Sequence, residues 1–71
     1  MQNERRRYNA HLWRVLTNES KDKTMVVKIY EIKSIYVYHI ECYENGEFCQ
    51  SMAVNGEINA WRVAHNMLEE Y

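Results

Sequence analysis

A chain of 71 residues, 46% apolar and 27% charged, is long enough for one folded domain and too rich in aromatic and β-branched residues to be disordered. Its formal net charge of −1 argues against a dedicated duplex-binding module, whose affinity rests on an excess of Lys and Arg. No run of about 18 apolar residues is present to span a membrane, and no apolar stretch of the secretory-signal kind follows the basic start Arg5-Arg6-Arg7. A domain this small buries only about 60% of the surface its unfolded chain exposes. Homodimerisation is therefore a natural way to add buried area. Two cysteines without a secretory signal point to a reducing, cytoplasmic setting.

Residues 4–19 read as a helix. Tyr8, Leu12, Val15 and Leu16 share one face at helical spacing, and Arg7, His11, Arg14 and Asn18 share the other. A competing reading makes residues 11–17 a strand and residues 18–23 a hairpin loop, but the helical spacing fits more positions. Residues 24–32 are rich in β-branched and aromatic side chains, as strands are, and residues 35–43 repeat that character. Residues 47–54 make a third strand, joined to the second through Asn45-Gly46.

Asn-Gly as a two-residue loop implies a type I′ turn and with it a register. Glu44 then faces Glu47, Tyr43 faces Phe48, Cys42 faces Cys49 and Ile40 faces Ser51. One sheet face carries Tyr36, Tyr38, Ile40, Cys42, Cys49, Ser51 and Ala53, with no charge until the turn. The other carries Val37, His39, Glu41, Tyr43, Phe48, Gln50, Met52 and Val54.

Residues 57–71 form an amphipathic helix, with Ala60, Trp61, Val63, Ala64, Met67, Leu68 and Tyr71 on one arc. Asn55 or Gly56 supplies the N-cap, and Glu57 suits the positive end of the helix dipole. The expected fold is thus a single α+β domain over residues 1–71: an N-terminal helix, a three-stranded antiparallel sheet and a C-terminal helix. The last helix should cover the uncharged face, where Cys42, Cys49, Ser51 and Ala53 are small enough to allow close approach. Tyr36, Tyr38, Trp61 and Tyr71 should fill the core beneath it.

No catalytic or metal-binding constellation is recognisable, and neither an enzyme nor a cofactor is expected. Cys42 and Cys49 face each other and read as buried free thiols acting as small hydrophobes, with a cross-strand disulfide as the alternative. Zinc would need His39 or His65 beside them, and the register points His39 to the opposite face. A Cys49–His65 nucleophile pair lacks an orienting third group.

Two features point to a partner instead. The cluster Arg5, Arg6, Arg7 with Arg14 places cations near the positive end of the expected first helix, an unfavourable position that suits contact with phosphate or an acidic surface. Tyr43, Phe48 and Met52 on the mixed face either pack under the first helix or form an exposed patch, and in the latter case belong to residue types enriched at interfaces.

The helix–three strands–helix order resembles double-stranded-RNA-binding domains in element order and length, and strands followed by a helix are similar to the arm-binding domains of phage-type integrases. The former grip phosphates with basic residues at the start of their last helix. Here that stretch is Glu57-Ile58-Asn59-Ala60-Trp61-Arg62, so the resemblance does not extend to RNA binding. Compact, motif-free, aromatic-rich chains are common among phage-encoded inhibitors of host or defence machinery. The expectation is a non-enzymatic protein that binds and modulates another protein, with nucleic-acid binding through the basic N-terminal segment as the alternative.

Overall fold

The computed structural model describes residues 10–70. Within them the chain forms four strands and one helix: β1 (His11–Glu19), β2 (Thr24–Ile32), β3 (Val37–Glu44), β4 (Glu47–Asn55) and α1 (Glu57–Glu70). A short 3-10 turn, Lys33–Ile35, joins β2 to β3. The strands make one antiparallel sheet in the order β1-β2-β3-β4, and α1 packs on one face of it.

The core follows from strict alternation in the two central strands. Met25, Val27 and Ile29 of β2 and Tyr38, Ile40 and Cys42 of β3 are buried on the same face. They meet Ala60, Ala64 and Met67, which helical spacing places along one stripe of α1. The small side chains that let helix and sheet approach are Ala60 and Ala64 together with Cys42, all fully buried. Cys49, Ser51 and Ala53, expected to serve that purpose, are exposed.

The expected N-terminal helix is not formed over residues 11–19, which are β1, and the sheet has four strands rather than three. The physical cause is a β-bulge. The pairing runs Leu12↔Tyr30 and then Arg14↔Ile29, so Trp13 is an extra residue in β1. The bulge resets the alternation, and Trp13 and Leu16 both pack against the core although they lie three apart. A bulged strand therefore imitates the spacing of a helix. The part of the expected helix before residue 10 lies outside the described residues, and so do Arg5, Arg6, Arg7 and Tyr71. With β1 in place, the element order no longer resembles that of double-stranded-RNA-binding domains.

A second bulge changes the β3–β4 register. Asn45 and Gly46 both have positive φ, 52° and 86°, as a type I′ turn requires. The pairs Glu44↔Glu47 and Tyr43↔Phe48 follow from it. Beyond them Cys42 pairs with Gln50 and Ile40 with Met52, leaving Cys49 as the extra residue. The rest of β4 is turned over relative to a regular hairpin. Gln50, Met52 and Val54 move to the helix side, while Ser51 and Ala53 move to the uncovered side.

Asn45 also locks the hairpin to β2. Its N–H donates to the Thr24 carbonyl at 2.8 Å, and its Oδ1 accepts from the Thr24 N–H at 2.9 Å. Gly56, at φ 87°, turns the chain from β4 into α1; its carbonyl accepts the first helical bond, from the Ala60 N–H at 3.1 Å.

Candidate functional site

The sheet face opposite α1 is covered by no described element. Register places its side chains in three rows across the strands: Thr17, Val26, Tyr43 and Phe48; Val15, Lys28, Glu41 and Ser51; Leu12, Tyr30, His39 and Ala53. Tyr43 and Phe48 are held edge to face, with centroids 5.9 Å apart and planes at 72°. The Tyr43 hydroxyl donates to Glu41 Oε1 at 2.8 Å, and Lys28 Nζ stands 5.0 Å from the Tyr43 ring centroid. The hydroxyl and the ring of Tyr43 are thus both engaged. Phe48 remains 58% exposed and Leu12 50%, so the face keeps apolar surface in contact with water.

The charges on this face oppose one another. Lys28 and Glu41 are direct partners in the β2–β3 register, so cation and carboxylate stand across from each other. A surface that grips phosphates needs cations in excess, and here the only lysine in the three rows faces a carboxylate.

Of the residues the sequence nominated for binding, Tyr43 and Phe48 are brought together on this face. Met52 is not with them: the β4 bulge puts it on the helix side, where it is 46% exposed. Arg14 lies in β1 with its guanidinium carbon 4.5 Å from the Trp13 ring centroid, and its Nη1 donates to the Trp13 carbonyl at 2.8 Å.

Sequence reasoning missed an aromatic group at the other end of the molecule. Trp13 sits 5.1 Å from Tyr38 and 5.5 Å from Trp61, and Trp61 stacks on His65 at 5.6 Å. The Tyr38 hydroxyl donates to Glu31 Oε2 at 3.0 Å, and His11 Nε2 lies 3.4 Å from Glu31 Oε1. Burial pushes the Tyr38 hydroxyl above its ordinary pKa, helped by the Glu31 hydrogen bond and the charges of Glu31 and Glu57. A cavity of about 450 Å³ opens beside it, lined by Glu31, Lys33, Tyr36, Tyr38, Gly56 and Glu57. Tyr36, expected in the core, instead adopts φ 55° after the 3-10 turn and is 79% exposed. Tyr38 and Trp61 were expected beneath the last helix; the member that sequence reasoning missed is Trp13, a large aromatic to which the helical reading gives no place.

Cys42 is buried and Cys49 exposed, both as free thiols, so the expectation of two buried thiols holds for Cys42 alone. Burial raises the Cys42 pKa, with the Cys49 thiol next in effect. No three metal-ligating side chains converge among the described residues. No described helix is long and apolar enough to cross a membrane. Comparison with protein-family models, with curated proteins and with solved structures returns no significant match.

Proposed function

We propose that this chain is a small non-enzymatic interaction domain that binds and modulates another protein through the sheet face opposite α1. One observation carries the reading. Tyr43 and Phe48 form a pre-set aromatic pair on a face whose charged side chains Lys28 and Glu41 stand opposite each other. Ordered aromatic side chains bind with little further loss of rotamer entropy, and they dominate the energetics of protein interfaces. The opposed Lys28 and Glu41 favour a protein surface over a phosphate backbone.

The test is affinity capture with the tagged full chain, with and without nuclease, run beside the double variant Tyr43→Ser/Phe48→Ser. A discrete protein that survives nuclease and is lost with the double variant, while the variant keeps its fold by circular dichroism, supports the reading. Recovery of nucleic acid alone, lost on nuclease treatment and indifferent to the double variant, overturns it in favour of a basic N-terminal contact. Unfolding of the double variant would make Tyr43 and Phe48 structural residues and remove the basis of the proposal.

A further inference from the structure

The two edges of the sheet are built differently. β1 protects its edge with the Trp13 bulge and with Arg14, whose guanidinium folds back onto the Trp13 carbonyl at 2.8 Å. Bulges and charged side chains are the usual means by which natural sheets prevent further strands from adding. β4 has its bulge at Cys49, close to the turn, which leaves residues 50–55 regular. Among the described residues β4 pairs with β3 alone. From Phe48 to Gly56 the sequence contains no charged residue and no proline. Alternate residues of such a strand direct their backbone N–H and C=O groups away from β3.

Beside this edge, on the helix side, lies a hollow of about 190 Å³ lined by Gln50, Met52, Val63, Asn66 and Met67. Met52 is 46% exposed above it, although its register partner Ile40 is fully buried. Among the described residues the helix lies over the central strands and leaves Met52 part-exposed at the β4 margin.

We propose that β4 is a homodimer edge: a second copy adds its own β4 antiparallel across a two-fold axis at Met52, producing one continuous eight-stranded sheet. A two-fold normal to the sheet keeps both helices on the same side and sets each residue opposite one of equal parity. Met52 then faces Met52 of the second copy, Gln50 faces Val54, and Ser51 faces Ala53. No like charges oppose one another along this segment. The nearest, Glu47 and Glu57 of opposite copies, lie beyond its ends, where solvent screens them. The methionine side chains are flexible enough to fill the two adjoining hollows. A second copy suits this edge because pairing β4 with itself meets no charge in either strand. It also gives a 71-residue domain the buried area its size denies it.

The proposal is independent of the Tyr43–Phe48 face. It is tested by sedimentation equilibrium of the full chain from micromolar to millimolar concentration. The expected result is a concentration-dependent doubling of the 8.6 kDa mass. Met52→Lys, which sets two ammonium groups against each other, should weaken association at least about tenfold. Leu12→Lys on the β1 edge and Tyr43→Ser in β3 should leave it unchanged. Amide exchange should slow in residues 50–55 as concentration rises, and this readout decides the matter if Met52→Lys fails to fold. A monomer at millimolar concentration, a dimer indifferent to Met52→Lys, or exchange in β4 that does not change with concentration would each overturn the proposal.

Discussion

The two faces of this sheet are made by the same strands and have opposite characters. The covered face buries Met25, Val27, Ile29, Ile40 and Cys42 almost completely, with no charged or polar residue fully buried among the described residues. The uncovered face alternates with it residue by residue, yet it carries Lys28, Glu41, His39 and the Tyr43–Phe48 pair at partial exposure. The contrast separates two uses of apolar area. Under the helix it removes surface from water and stabilises the fold; on the other side Phe48 and Leu12 keep apolar surface exposed among the described residues.

Four substitutions test this contrast, from the largest effect to the smallest. Ile40→Ala empties a fully buried site in a central strand and should cost about 2–5 kcal/mol. In so small a domain, chemical denaturation should find it close to unfolded. Ala64→Leu adds three carbons where helix and sheet touch, and should cost about 1–3 kcal/mol by overpacking. If it is neutral, α1 is not held as closely as the buried alanines indicate.

Tyr38→Phe removes the hydrogen bond to the Glu31 carboxylate and should lower stability by about 1–3 kcal/mol in thermal melts near neutral pH. It also has a pH signature. The native state holds the Tyr38 proton more tightly than the unfolded chain does. That contribution is fully present below the unfolded pKa of about 10 and is lost as pH climbs towards the raised native value. The wild-type chain should therefore lose stability in alkali, and Tyr38→Phe should lose less. A residual alkaline loss should remain from Cys42, whose pKa is raised in the same direction. Phe48→Ser, on the open face, should change unfolding free energy by no more than about 0.5 kcal/mol while weakening partner capture. A loss comparable to that of Ile40→Ala would erase the distinction between the faces.

The candidate site was only partly legible beforehand. Tyr43 opposite Phe48 followed from Asn45-Gly46, because a two-residue turn dictates the pairs nearest to it. Met52 was placed with them on the assumption that the alternation continued, and the Cys49 bulge ended it. Trp13 was not legible because its ring partners Tyr38 and Trp61 come from β3 and α1, far along the chain. The basic cluster Arg5 to Arg7 lies outside the described residues, and of that group only Arg14 has a place, at the β1 edge.

What the sequence by itself determined is the local chemistry. Residues 24–32 are a strand because β-branched side chains alternate there, residues 45–46 turn because Asn and Gly accept positive φ, and residues 57–70 are helical because their apolar stripe has the right period. Only the tertiary structure decided that residues 11–19 are a strand and which way β4 faces. Both outcomes turn on single-residue bulges at Trp13 and Cys49. A bulge has little local signature of its own. It forms where it lets side chains on both sides of it reach the core, and that advantage exists only once the neighbouring strand and α1 are in place.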